Sequence, residues 1–255
     1  MKVLLCGDTH ASRGHMRYLI EDIAVPKEIK LLIVLGDFGF WPRNQYGVKF
    51  LEYVNKLAKA NDIEIWWLDG NHEDHIWLRE EMLPYYDGIN PIASSSPGAQ
   101  YSAIKYLPRG HRFELDGVKF MSYGGAFSVD YESRTDGIDW FDGIENVDPD
   151  HIESISYDEV DVLLTHDVPL GKDLGYPKGA LTDISEKTRL QLTYLVDKVK
   201  PHFGYGGHHH KNISWDITTE RGDCRYTIIN CNETMDRSWM LLDTYQIKTI
   251  SEWRR

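Results

Sequence analysis

Five short apolar runs, each followed at once by a turn residue and a carboxylate, amide or imidazole, constrain this chain more than any other feature. They occupy residues 2–7, 31–35, 63–68, 160–164 and 202–205. Runs of this length, apolar throughout and closed by Gly or Asp, read as strands buried on both faces. Between them, apolar residues recur at spacings of three and four. Phe50, Val54 and Leu57, with Leu51 and Ala58, place an apolar stripe on a helix over 46–60; Leu192, Leu195, Val196 and Val199 do the same over 185–198. Asp183, three residues before Glu186, has the form of a capping box that starts the second helix, and Pro201 stops it.

Strand, helix, strand alternation predicts an α/β chain with a largely parallel sheet. The later residues change character. Asp116-Gly117, between 112–115 and 118–123, predicts a two-residue hairpin turn. Together with strand-like runs at 211–218, 225–230 and 239–242 it predicts a second, more antiparallel sheet. Segments 86–100 and 128–149 are expected as loops. With no repeat, low-complexity tract or linker, residues 1–255 are expected to form a single domain.

Composition narrows the function. The chain has 255 residues, 28 Lys+Arg against 40 Asp+Glu and a formal charge of −12, yet it carries 11 histidines. Such an acidic chain is unsuited to sequence-independent binding of polyanions, so no extended nucleic-acid surface is expected. A hydrophobic content of 42% argues against disorder. No run approaches the ~18 apolar residues of a membrane span. The first apolar run is too short for a secretory leader, and the three cysteines show no paired spacing. Reduced thiols in the cytoplasm are the expectation. On the oligomeric state the sequence is silent.

The chemistry sits at the strand ends. Gly7-Asp8-Thr9-His10 follows the first run, Gly36-Asp37 the second and Gly70-Asn71-His72-Glu73 the third. Thr165-His166-Asp167 ends the fourth, and Gly206-Gly207-His208-His209-His210 follows the fifth. Open α/β sheets bind ligands beyond the carboxyl ends of their strands, so these groups are expected to converge. Glycine before an acid or amide allows a sharp turn and close backbone approach. Carboxylate, imidazole and carboxamide together suit divalent ions of intermediate hardness. Asp8, His10, Asp37, Asn71, His166, His208 and His210 are seven such groups, more than one tetrahedral ion needs and enough for two. Asp37 is the natural bridge between ions about 3.5–4 Å apart. Strand alternation would turn His209 to the other side, and His15, His75, His111, His151 and His202 have no spacing that marks them as ligands.

Asp-x-His, Gly-Asp, Gly-Asn-His-Glu, a lone strand-end His and Gly-His-x-His, in this order, resemble the calcineurin-like metallophosphoesterase superfamily; Gly124-Gly125-Ala126-Phe127-Ser128-Val129-Asp130, with Arg134 and Trp140 beyond it, also resembles its stand-alone bacterial and phage members. The resemblance runs from Asp8 to His210. It implies a four-layer αββα sandwich and two divalent metal ions, with Mn²⁺ favoured and Fe, Zn²⁺ or Ni²⁺ as alternatives. It implies that Asp8, His10 and His210 hold the first ion, Asn71, His166 and His208 the second, with Asp37 shared. A hydroxide between the ions would attack phosphorus in line, and His72 would protonate the leaving oxygen; either Glu73 or Asp74 would orient it.

The chain departs from the serine/threonine protein phosphatases of that superfamily, which read Gly-Asp-x-Val-Asp-Arg-Gly. Here Gly36-Asp37 runs into Phe38-Gly39-Phe40-Trp41-Pro42-Arg43, with aromatics where that arginine would stand. Such a site is less suited to a monoester dianion. The expected activity is hydrolysis of phosphodiester bonds in a small phosphate ester such as a cyclic or small nucleotide. Trp41 is a candidate substrate wall and Arg134 a candidate phosphate contact. A phosphomonoesterase or protein phosphatase is the alternative within the enzyme class; a non-catalytic metal-binding scaffold is the alternative outside it.

Overall fold

The computed structural model describes residues 1–82 and 101–253, so the expected loop at 86–100 lies outside the described residues. Four parallel strands form the body of the first sheet: β1 (Lys2–Cys6), β2 (Leu31–Leu35), β3 (Glu64–Leu68) and β4 (Ile104–Tyr106). The late strand β11 (Trp239–Asp243) adds antiparallel to β1, giving the order β11-β1-β2-β3-β4. The second sheet contains β5 (Arg112–Leu115), β6 (Val118–Tyr123), β7 (Val162–Thr165), β8 (Phe203–Gly206), β9 (Ile213–Thr219) and β10 (Gly222–Ile228), in the order β5-β6-β7-β8-β10-β9.

Alternating side chains show how the layers stack. Val3 and Leu5, Ile33 and Leu35, Trp66 and Leu68 pack with Phe120, Val162 and Leu164 in one cluster between the sheets. Leu4 and Cys6, Leu32 and Val34, Ile65 and Trp67 point the other way, into a cluster with Met16, Ile20, Phe50 and Val54. Those last residues belong to α1 (Arg13–Arg17), which continues as a wider π-type turn over Tyr18–Ala24, and to α2 (Gln45–Ala60). After a short helical turn, α3 (His75–Trp77), the second sheet's outer face carries α4 (Pro149–Ser154) and α5 (Ala180–Val199): Met121, Tyr123 and Leu163 pack there with Ile152, Leu192 and Val196. Helix, sheet, sheet, helix is the αββα sandwich of the metallophosphoesterase fold. The chain closes with α6 (Thr244–Trp253).

Several expectations are corrected. The second sheet is not mainly antiparallel: β6-β7, β7-β8 and β8-β10 are parallel, and only the edge pairs β5-β6 and β9-β10 are antiparallel. Those edge pairs are local hairpins, the first turning at Asp116 (φ 50°) and Gly117 (φ 82°) as expected. Segment 239–242 pairs with β1 rather than with its neighbours in sequence. Helix α5 starts at Ala180, so Asp183 lies inside its first turn, where its N–H reaches the carbonyl of Gly179, and does not cap it. α1, β4 and α6 were not foreseen. Each is short or lies in a stretch with a weak period, although α1 has a local cap, the Ser12 hydroxyl accepting the His15 N–H at 3.2 Å. All three cysteines are buried thiols, and among the described residues no helix is long and apolar enough to cross a membrane.

Candidate metal centre

The strand ends converge. Asp8 follows β1; its Oδ1 accepts the N–H of His208 at 2.9 Å and its Oδ2 lies 3.0 Å from His210 Nε2. His10 Nε2 is 3.1 Å from His210 Nε2. One ligand-type atom from each of Asp8, His10 and His210 falls within 4.8 Å of the others, and the same is true of Asp37, His166 and His208. Asp37 lies between the two groups: Oδ1 is 3.4 Å from His166 Nε2, whereas Oδ2 is 3.9 Å from His10 Nδ1. Asn71 Oδ1 lies 3.1 Å from His166 Nε2, placing the carboxamide with the second group.

Backbone geometry makes this convergence possible. His10, Asp37, His208 and His210 all have positive φ, between 44° and 61°. Non-glycine residues avoid this region at a cost of order 1 kcal/mol each, and they gather where the surrounding structure holds a site in place. Two glycines permit the close approach. A Cβ on Gly36 would sit 2.1 Å from His166 Nδ1, and one on Gly70 would sit 2.1 Å from Asp37 Oδ1.

The donor set fits divalent cations. His166 Nδ1 is 2.7 Å from the Leu35 carbonyl, so it carries the proton. Its Nε2 lone pair then faces Asp37 Oδ1 and Asn71 Oδ1, two acceptors. Three acceptors meeting without a proton repel one another, and a cation among them removes that conflict. Without a cation, proton uptake is the other remedy. Burial alone would lower His166, but Asp37 and Asp8 overcome it and push the imidazole up to about 10.

Around these groups lies a shell of residues whose supporting contacts the motifs do not reveal. Glu73 is fully buried and ties two strand-end loops together, accepting N–H bonds from Gly39 (3.1 Å) and Gly70 (2.6 Å). Asn71 Nδ2 donates to Ser128 Oγ at 3.0 Å, and Ser128 in turn donates to the buried carboxylate of Glu145. Burial pushes Glu145 up to about 7, against hydrogen bonds from Ser128 and the Phe141 N–H. Asp69, at the end of β3, accepts from Tyr106 and pairs with Arg109, whose remaining N–H groups reach the carbonyls of Ile144, Glu145 and Asn146. These long-range contacts have no local sequence signal.

His209 turns away from both groups and bonds Asp167 at 2.9 Å. Strand alternation is not the reason, because β8 ends at Gly206 and the chain bends at 208–209. The expected orienting role of Glu73 or Asp74 for His72 is also corrected. Glu73 is the clamp described above, and Asp74 pairs with Arg43 and caps α3 through the Trp77 N–H. His72 instead presents Nε2 at 2.7 Å from Arg134 Nη2 and 3.9 Å from Asp37 Oδ2. The backbone N–H of His72 donates to Asp37 Oδ1 at 2.8 Å. Arg134 is held by Asp130. His10 and His72 open into a cleft of about 670 Å³ whose walls include Trp41, Tyr46 and Ile138. Trp41 stacks on Phe141 at 6.2 Å.

The chain matches the calcineurin-like phosphoesterase family over residues 1–212 and belongs to that family. A Haemophilus influenzae protein described as uncharacterized is 22% identical over 229 residues, 84% of this chain and 85% of that one. Among solved structures, similarity extends to the sulfate thiohydrolase SoxB of Thermus thermophilus, with TM-score 0.47, 11% identity, and coverage of 91% of this chain and 52% of that one. It also extends to the NAD nucleotidase NadN of Haemophilus influenzae, with TM-score 0.40, 14% identity, and coverage of 90% and 44%. The chain thus spans about half the length of these two solved proteins.

Proposed function

We propose that the protein is a dinuclear-metal phosphodiesterase acting on a small phosphate ester, with a nucleotide as the favoured class. Asp8, His10 and His210 would hold one ion, Asn71, His166 and His208 the other, and Asp37 both. When bound, the ions supply the Lewis acidity that activates water and neutralises phosphate oxygens. Mn²⁺ is favoured by the mixture of carboxylate, imidazole and carboxamide donors.

The observation that carries the diester reading is the state of the arginines. Arg43, the arginine of the loop after Asp37, is spent in a two-pronged pair with Asp74. Arg134 stands beside His72 but is already neutralised by Asp130. No unpaired guanidinium fork among these residues faces the centre to grip a dianion, whereas a singly charged diester needs less compensation. The leaving group would lie in the Trp41 cleft, whose aromatic walls suit a flat ring. His72 faces that cleft and would protonate the departing oxygen. Nε2 now accepts from Arg134, so donation requires that contact to break as the leaving group enters the cleft, with Arg134 retained by Asp130.

The test is hydrolysis of bis(p-nitrophenyl) phosphate and of p-nitrophenyl phosphate with added Mn²⁺. A diester-to-monoester kcat/KM ratio above one is expected. A ratio well below one would favour the phosphomonoesterase alternative, and no turnover of either ester with any divalent ion would leave the scaffold.

A further inference from the structure

A second pocket, of about 240 Å³, opens on the His208 side of the centre and shares no lining residue with the Trp41 cleft. His208, a member of the second ligand group, forms part of its wall, so the pocket borders the centre. Val129 forms another part and directly follows Ser128, which holds Asn71. Val129 and Leu181, both on this pocket, are 51% and 38% exposed, apolar surface left uncovered beside a polar centre.

The polar groups of the pocket define what it can take. Tyr176 lines it, with its hydroxyl 3.3 Å from both Nδ1 and the carbonyl of His209. His209 Nε2 donates to Asp167, so Nδ1 is the acceptor that takes the phenol proton. The phenol oxygen keeps its lone pairs for a donor from outside. Lys211 Nζ lies 4.3 Å from the centre of the Tyr176 ring, and the same ammonium donates to the Leu174 carbonyl, which holds the ring in place. Arg189 also lines the pocket, with its Nε and Nη2 groups donating to the carbonyls of Val168, Pro169 and Lys172. Glu186 on the same wall places a carboxylate against a second anion.

We propose that this pocket is the subsite for the ester substituent that stays on phosphorus: an uncharged, compact ring such as a sugar, carrying a hydroxyl donor for Tyr176. The assignment rests on the diester reading above. In an in-line displacement the leaving oxygen departs along the attack axis and the retained substituent lies off it, so a diester needs two separate recesses. At about 240 Å³ the pocket is smaller than the ~300–1,000 Å³ typical of whole ligands, as befits one part of a substrate.

Two p-nitrophenyl diesters test this, one of methanol and one of the thymidine 5′-hydroxyl, each with Mn²⁺. Leu181→Trp, which fills the pocket, is expected to lower kcat/KM for the thymidine ester by about tenfold or more and to change the methyl ester by less than about threefold. Tyr176→Phe keeps the ring and should raise KM for the thymidine ester alone, deciding the matter where Leu181→Trp does not fold. Equal losses on both esters, or none on either, overturn the pocket assignment while leaving the diester reading intact. Turnover of p-nitrophenyl phosphate with neither diester cleaved by the unaltered protein overturns both.

Discussion

Asn71 donates its carboxamide Nδ2 to Ser128 Oγ at 3.0 Å, and this one bond decides which end of the amide faces the centre. With nitrogen committed to Ser128, the oxygen is left toward His166 Nε2. Ser128 is itself oriented by Glu145. Ser128→Ala should therefore weaken one of the two metal sites by about 10–100-fold, the usual effect of losing a group that orients a ligand. Calorimetric titration of the metal-free protein with Mn²⁺ checks this; both sites weakening equally would contradict it. Ser128→Thr, which keeps the hydroxyl, should restore most of the affinity.

Gly70→Ala should abolish metal binding at the second group without unfolding the chain. The new Cβ would lie 2.1 Å from Asp37 Oδ1 and 2.4 Å from the Asp37 nitrogen, so the shared carboxylate must move. Circular dichroism near that of the unaltered protein, with loss of at least one titratable Mn²⁺, is the expected pair of results.

His72→Ala should slow hydrolysis far more for a poor leaving group than for p-nitrophenolate, which needs little protonation. Comparing phenyl and p-nitrophenyl esters of the same phosphate measures the difference. Equal losses would show that His72 does not protonate the leaving oxygen.

The Asp69–Arg109 pair is buried beneath the same region, and Arg109 also secures residues 144–146. Arg109→Met leaves Asp69 buried with Tyr106 as its remaining side-chain partner. Removing one member of such a pair costs about 3–5 kcal/mol, a fall in Tm of roughly 10 °C for a chain of this size. Asp69→Asn in the same protein should recover part of the loss.

His15 is buried, with Nε2 2.7 Å from Ser238 Oγ and no hydrogen bond at Nδ1. Burial, aided by His10, pushes its imidazole down to about 4. An unfolded imidazole titrates near 6.5, so between about 4 and 6.5 the unfolded chain binds more protons and stability falls as pH falls. Above about 6.5 both states are neutral and His15 adds no pH dependence. Between pH 7 and pH 5 its contribution is a loss of about 2 kcal/mol. Urea unfolding of the metal-free protein at both pH values should show a smaller difference for His15→Gln.

How much was legible in the sequence follows from the range of each interaction. The runs 2–7, 31–35 and 63–68 read as strands because apolar length and closing turns are local signals, and the strand-end motifs marked Asp8, Asp37, Asn71 and His166 for the same reason. By contrast, β11 beside β1 joins residues more than two hundred positions apart. The second sheet was misjudged because its hairpins announce themselves locally while its parallel pairs depend on crossovers.

The sequence by itself determined the chemistry: which donor types stand at strand ends, in what order, and therefore the family. Tertiary structure alone decided who holds those donors. Glu145 and Arg109 act on the centre across loops from positions with no period or spacing, and the clamp that Glu73 makes to Gly39 joins two separate loops. The left-handed backbone at His10, Asp37, His208 and His210 likewise persists only because two packed sheets enforce it. Local patterns record what a short segment can do; the orientation of a buried amide or a pocket wall exists only once distant segments meet.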